Sequence, residues 1–345
     1  MIRQPDIVTD ADLTGLSTFR LPARAAELIV LDTPEQVAAL PPASDGELVL
    51  GGGSNTLFVG DYSGRILLNR MTGLSFEDYG DDVLVSAAAG ENWHRLVRTC
   101  INRELHGLEN LIMIPGSVGA APMQNIGAYG VELAHVFEHL TAWDRSERQM
   151  VTLERNDCGF GYRDSRFKSI EPERFLITSV TLRLSRHFHP DTRYASLTDA
   201  LASSKIKHPS PRQLAATVMR LRRHRLPDPA RLPNAGSFFK NPVVPPGEAN
   251  AALAAHPELL HWPMPDGSVK LGAGRMIEVL EWKGKAIGDA AVYPHHALVL
   301  INRGHATAVD LMRLVRAIQT SVYEEYGIRL EPEPRLIGSC AEDPA

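Results

Sequence analysis

Apolar residues recur along the chain in two rhythms. Short runs and alternations predict strands at residues 27–31, 47–50, 65–69 and 82–86, and again at 136–143, 149–153 and 175–184. A 3.6-residue stripe of Trp93, Leu96, Val97, Cys100 and Ile101 predicts a helix over about residues 91–105. A second stripe, Leu311, Leu314, Val315, Ile318 and Val322, predicts a helix over about residues 308–326, with Thr307 as its N-cap and Gly327 as its stop. A short helix is expected after Thr33, with Pro34 at its first position. Proline-rich turns near 208–211 and 227–233 bracket a basic helix at 213–225, and residues 328–337 alternate as a strand. Residues 109–130 keep no period. Strands and helices mix without regular βαβ alternation, which predicts an α+β fold.

A chain of 345 residues is long enough for two or three domains and a sizeable core. Apolar residues make up 44% and charged residues 22%, so wholesale disorder is excluded. The net charge of −5 argues against a dedicated nucleic-acid binder. The first residues lack the apolar core of a secretory signal, and no window approaches a membrane span, so a cytoplasmic protein without membrane association is expected. Cys100, Cys158 and Cys340 show no metal-ligand or redox spacing; they are expected to be reduced thiols, with no metal. Oligomeric state is not readable, and a monomer is the default expectation.

Five segments and one cluster carry candidate chemistry. Gly51, Gly52, Gly53, Ser54 and Asn55 follow a strand, and residues without Cβ let backbone N–H groups approach an anion. The spacing is neither a Walker loop nor a dinucleotide fingerprint, so both a tight turn and a phosphate cradle stay open. Residues 114–130 spend many small apolar side chains on an irregular stretch, which favours a large planar ligand over an ordinary surface loop. Arg163, among the glycines of 159–165, suits a carboxylate or phosphate, or else pairs with Asp164. Ser237 stands between Gly236 and two phenylalanines, with no nucleophile elbow around it. It is a turn serine or a sheltered proton donor. Glu331, Glu333 and Arg335 would share one face of a strand that its prolines confine to an edge, as a proton relay or an exposed ion pair. Arg220, Arg222, Arg223, His224 and Arg225 form a solvated helix face or a diphosphate contact.

The order of these motifs is informative. Gly51–Asn55 is followed by AAGENWH at 88–94, the loop at 114–133, FGYRDSRFK at 160–168 and RLPDP at 225–229. NAGSFFKNPVV at 234–244, DGSVKLGAG at 266–274, HALVLIN at 296–302 and LEPEPR at 330–335 complete the series. Over about residues 15–338 this resembles the UDP-N-acetylenolpyruvoylglucosamine reductase (MurB) flavoenzymes of peptidoglycan, hence cell wall, synthesis. The loop at 193–197 resembles the tyrosine loop of the family's longer subclass.

The resemblance implies an FAD-binding fold of the vanillyl-alcohol-oxidase (PCMH) type. Its two subdomains would cover 1–70 and 71–226, with an α+β substrate domain at 227–327 and a strand at 328–345 returning to the flavin region. It implies non-covalent FAD, NADPH as hydride donor and a UDP-sugar substrate whose enolpyruvyl group is reduced to give UDP-N-acetylmuramate. Covalent flavin oxidases of this fold attach FAD through His or Cys, and none stands beside Gly51–Asn55. A non-catalytic nucleotide-binding module would need neither Ser237 nor Glu333. Matching positions imply that Arg163 and Glu333, the latter protonated, stabilise an enolate-like state and that Ser237 delivers the proton. Gly51–Asn55, Gly127, Tyr129, Arg222 and Arg335 would hold FAD, and Tyr162, Tyr194, Arg225 and Asn241 the substrate. Three positions depart from familiar members: Arg225 stands where they carry Lys, Ala120-Ala121 where some have paired serines, and Pro334 where an aliphatic residue is usual.

Overall fold

The computed structural model describes residues 4–40 and 46–339; Cys340 lies outside them. These residues form two compact units. The first contains Ala25–Gly52 and Ser63–His224, with the described residues before Asp12. The second contains Asp12–Arg24, Gly53–Tyr62 and the described residues from Arg225 onward. Two stretches of the first 70 residues therefore pack with the C-terminal part of the chain.

In the first unit an antiparallel five-stranded sheet runs in the order Gln149–Glu154, Phe137–Asp144, Phe175–Ser185, Asp82–Ala88, Leu74–Tyr79. Its inner face carries Val85, Ala87, Leu140, Ala142, Val180 and Leu182, all at most 1% exposed. The helix Trp93–Asn102 covers that face, and its whole predicted stripe is buried. The Asn92 side chain accepts from the Arg95 N–H at 2.9 Å and starts the helix there. A four-stranded sheet follows the order Asp6–Asp12, Arg24–Leu31, Tyr62–Asn69, Glu47–Leu50, the last pair being parallel. The short helix Pro34–Ala38 forms as expected, with Gln36 Oε1 accepting from the Thr33 N–H at 3.1 Å.

The second unit holds a sheet ordered Asn234–Ser237, Val299–Asn302, Ala290–Val292, Ala286–Ile287 and a small one ordered Val243–Val244, Val269–Leu271, His261–Pro263. The helix Ala308–Tyr326 buries Leu311, Leu314, Val315, Ile318 and Val322. Each such burial contributes about 1.5–3 kcal/mol before entropy is counted. The helix bounds match the expectation. Thr307 and Asp310 exchange hydrogen bonds at 3.1 and 3.0 Å, and Gly327 stops the helix at φ 68°.

Two expectations change. Of residues 328–337 only Arg335–Ile337 pair as a strand, parallel to Thr56–Phe58. Pro332 and Pro334 have no N–H for a ladder, and the chain before Arg335 leaves the extended pairing apart from one bridge, Phe239 to Pro332. Glu331 and Arg335 are exposed and Glu333 half-buried, so the three do not share one environment. The tyrosine loop also shortens: Tyr194 caps a helix, Ala195–Ser203, whose weak stripe of Leu197 and Leu201 escapes a periodicity reading.

Candidate functional site

In the first unit the strand Glu47–Leu50 runs out into Gly51 and Gly52. A Cβ on Gly52 would stand 2.9 Å from the Cα of Gly116, and one on Gly51 would collide with the Ser117 hydroxyl. Two backbones thus touch where no side chain fits. The Gly52 N–H donates to Ser117 Oγ at 3.3 Å. Beside this contact opens a pocket with walls of Val49, Ala89, Gly119 and Ile177 and polar groups from Asn69 and Glu173. Gly119 is required as well, since a Cβ there would approach that of Ala89 to 2.5 Å.

The irregular loop is held by tertiary bonds. Asn125, at φ 44°, accepts from the Ala134 N–H at 3.0 Å and donates to the Gly161 carbonyl at 3.1 Å. Ser165 Oγ donates to the Met123 carbonyl at 2.7 Å. These bonds lace residues 160–168 onto the loop. Arg163 itself takes φ 54°, and its Nη2 donates to the Gly127 carbonyl at 2.8 Å. A Cβ at Gly127 would crowd Arg163 Nη1 at 3.0 Å. The Asp164 carboxylate is engaged by the Ser165 N–H and the Ser169 hydroxyl. Tyr162 is exposed beside Arg163, 5.5 Å from ring centroid to Cζ.

Arg222 enters from the helix Pro211–Arg225. Its Nε is enclosed with no hydrogen-bond partner among the described residues. Burial pulls its pKa below the ordinary arginine value; Arg163 adds to the fall and Tyr129 opposes it. Arg222 therefore lies within electrostatic reach of Tyr129 and Arg163. Tyr129 also packs edge-on against Tyr194, with ring centroids 5.4 Å apart. The first unit thus gathers Gly51 and Gly52 at one cradle, and Gly127, Tyr129, Tyr162, Arg163, Tyr194 and Arg222 around one loop.

In the second unit Gly53 takes φ 59°, where a Cβ would run into the Leu16 carbonyl, and its own carbonyl accepts from the Thr18 N–H at 3.1 Å. The Ser54 carbonyl accepts from Thr18 Oγ1 at 3.5 Å. Asn55 Nδ2 donates to the Glu333 carbonyl at 3.3 Å, and the Arg335 N–H donates to the Asn55 carbonyl at 2.9 Å. Ser237 faces Val299 at the end of its strand, next to Phe238, whose carbonyl accepts from the Glu333 N–H at 2.7 Å. Gly236 bends the backbone there at φ 75°, its N–H taken by Asn234 Oδ1 at 2.9 Å. Asn55, Ser237, Glu333 and Arg335 are thereby drawn together. Glu331 pairs with Lys240 at 3.0 Å. Asn241 Oδ1 accepts from the Ala273 N–H at 3.1 Å, at the start of the helix Ala273–Val279. Arg225 is exposed, and its charge, after burial, helps lower the pKa of His296.

Ser117, Asn110 and Thr18 were not marked as site residues by the sequence. Ser117 lies inside the 114–133 loop, so its glycine neighbours were the available signal. Asn110 and Thr18 act through long-range bonds that no local pattern reveals. Among the described residues no group of three or more His, Cys, Asp or Glu is placed to hold a metal, and no helix is long and apolar enough to cross a membrane.

A large flat nucleotide cofactor fits this arrangement. Side-chain-free backbone would meet its phosphates, apolar walls its rings, and the enclosed Arg222 Nε would gain an acceptor. Comparison with known proteins agrees. The family model described as FAD binding domain matches residues 33–151. The one described as UDP-N-acetylenolpyruvoylglucosamine reductase, C-terminal domain, matches residues 228–337. The UDP-N-acetylenolpyruvoylglucosamine reductase of Azoarcus sp. is 48% identical over 340 residues, 96% of this chain and 98% of its own. That of Dechloromonas aromatica is 45% identical over 331 residues, 94% and 98% of the two chains. The crystal structure of the Thermus caldophilus reductase (MurB) superposes with a TM-score of 0.66 at 25% identity, covering 97% of this chain and 99% of that one. The α+β fold is accordingly an FAD-binding domain joined to a reductase C-terminal domain, and the chain belongs to the UDP-N-acetylenolpyruvoylglucosamine reductase (MurB) family.

Proposed function

We propose that the chain is an NADPH-dependent, FAD-containing oxidoreductase that reduces the enolpyruvyl group of UDP-N-acetylenolpyruvoylglucosamine to give UDP-N-acetylmuramate, in the cytoplasm, for cell wall synthesis. The observation that carries this reading is identity of 45–48% to reductases along nearly the whole chain. A shared FAD fold alone would support much less.

When bound, the flavin supplies two-electron transfer between nicotinamide and alkene. Gly51, Gly52, Gly53, Ser54 and Asn55 offer backbone N–H groups and small side chains to its diphosphate, with Gly127, Tyr129, Arg222 and Arg335 as further contacts. Arg163 receives the substrate carboxylate as charge spreads onto it, and Glu333 donates a hydrogen bond to the same enolate-like group. Donors fixed before reaction are often the largest catalytic contribution, and the Gly127 carbonyl already fixes Arg163 at 2.8 Å. Ser237 passes its hydroxyl proton to the carbon next to the carboxylate. Tyr194, Arg225 and Asn241 hold the UDP end, with Tyr162 beside Arg163. Arg225 keeps the cationic charge of the more usual lysine but presents a planar fork.

Anaerobic spectra of the flavin test the reading. NADPH should bleach the visible absorbance of the bound flavin, and the UDP-sugar should restore it. A protein that neither carries nor accepts FAD would overturn the assignment, and so would a reduced flavin that ignores the enolpyruvyl substrate. Arg225→Ala should raise the UDP-sugar requirement while leaving flavin reduction by NADPH nearly unchanged.

A further inference from the structure

We infer that Asn110 is a positioning residue for the UDP-sugar: its one amide group ties the Tyr129 backbone to Asp191 and so sets where Tyr194 stands. This rests on the proposed function, in which Tyr194 closes on the substrate.

Asn110 is 3% exposed, and its Nδ2 donates to the Tyr129 carbonyl at 2.8 Å and to the Asp191 carbonyl at 2.9 Å. Both protons of one NH₂ are therefore spent on carbonyls of two different loops. Each loop brings a tyrosine, and the rings of Tyr129 and Tyr194 meet edge-on at 5.4 Å. The link from Asp191 to Tyr194 is short and braced. Asp191 Oδ1 accepts from the Arg193 N–H at 3.1 Å, and the Tyr194 carbonyl accepts from the Leu197 N–H at 2.8 Å. The loops also touch at Gly130, where a Cβ would lie 3.9 Å from both Asp191 Oδ1 and Tyr194 Cβ.

Asn110 itself is anchored on both sides. It occupies the middle of the turn Glu109–Leu111. The buried Glu109 carboxylate bonds His106 Nδ1 at 2.9 Å and accepts from the Gly107 N–H at 2.8 Å. The Leu111 carbonyl accepts from Trp93 Nε1 at 2.9 Å. Trp93 is in the core, so the amide projects from a rigid base. Tyr194, in contrast, is 45% exposed, and the Asn110 amide ties its loop to that base. A bond that fixes the free position of a closing side chain reduces the ordering left for substrate to do, and this acts on affinity rather than on flavin reduction.

The test compares Asn110→Asp, a near-isostere that lacks the NH₂, with Asn110→Ser, which keeps one donor. The second variant also serves if the first fails to fold. With FAD supplied in excess, because Tyr129 at the other end of the tie is assigned to the flavin, the rate of flavin reduction by NADPH should stay within about twofold of the parent, while KM for the UDP-sugar rises about tenfold, the factor expected for losing one or two buried hydrogen bonds. Combination with Tyr194→Phe gives the decisive reading. If Asn110 acts through Tyr194, the two effects on KM are strongly non-additive. Additive effects, or equal losses in both half-reactions, would make Asn110 a structural residue only and overturn the inference. If Tyr194→Phe by itself leaves KM unchanged, the assignment of Tyr194 to the substrate fails instead.

Discussion

The backbone N–H of Glu333 donates to the carbonyl of Phe238 at 2.7 Å. That bond sets the glutamate's backbone beside the residue that follows Ser237, although the two site residues lie far apart in sequence. In the proposed reaction Ser237 would need no activating base, since the group it would serve is itself a strong base. Ser237→Ala should still let NADPH bleach the flavin, and should slow reoxidation by the UDP-sugar by at least about a hundredfold. Stopped-flow absorbance separates the two steps, and equal slowing of both would remove the serine from the proton step.

Glu333→Gln keeps the backbone bond to Phe238 and the half-buried position, and changes only the carboxyl group. Glu333→Ala, which removes the donor altogether, should slow the second half-reaction by about 10²–10³, the usual cost of removing one fixed donor, while the glutamine variant, whose amide still donates, should slow it less. A glutamine variant as fast as the parent would show that an amide serves as well as the carboxyl.

The cradle yields a prediction with a built-in rescue. Gly51→Ala pushes a methyl group into the Ser117 hydroxyl, but the next contacts, Ser117 Cβ and Ala120 Cβ at 3.6 Å, are ordinary. The single variant should lose bound FAD and about 1–3 kcal/mol of stability. Adding Ser117→Ala should recover part of both. Gly52→Ala meets the Gly116 backbone at 2.9 Å, and no side-chain change relieves it. Flavin content after gel filtration, read beside a thermal melt, distinguishes the two glycines.

Burial pushes the thiols of Cys100 and Cys158 up to about 12. Both should resist alkylation at pH 8 in the folded protein, because the thiolate is the reactive form. Peptide mass spectrometry after iodoacetamide would detect either one. Labelling before unfolding would mean that the sheet around them opens readily.

Asp144 is 3% exposed and accepts from Arg174 through Nε at 3.1 Å and Nη2 at 2.7 Å. The Arg174 hydrogen bond holds its pKa below the ordinary 3.8, against the opposing effect of burial. A depressed native pKa adds stability that is complete above the unfolded value and disappears as pH falls through the folded one. Asp144→Asn should therefore lower the melting temperature at pH 7, and the gap to the parent should narrow below about pH 4, where unfolded aspartate begins to protonate. A gap independent of pH would deny the pair an ionic contribution.

Much of the first unit was legible because its elements obey one period each. Trp93, Leu96, Val97, Cys100 and Ile101 are all buried as their spacing demands. The capped helix Ala308–Tyr326 carries its own start and stop signals. Alternation misled at residues 328–337, where apolar positions repeat every second residue but Pro332 and Pro334 prevent pairing. In the candidate site, close backbone approach was legible where glycines demand it, as at Gly51 and Gly52. The site was illegible where a single amide reaches across the fold: nothing near Asn110 in the chain announces Tyr129 and Asp191 as its partners.

The pairing of Thr56–Phe58 with Arg335–Ile337 has a consequence for biosynthesis. A ribosome makes the first strand early and its mate only after almost every other described residue has emerged. Until then Leu57 and Phe58, both fully buried in the finished protein, must wait without their neighbour. Parallel pairing over such a separation is slow to close. The growing polypeptide should therefore complete its second unit only once Arg335–Ile337 has emerged, and the interval before that is when it most needs protection by chaperones.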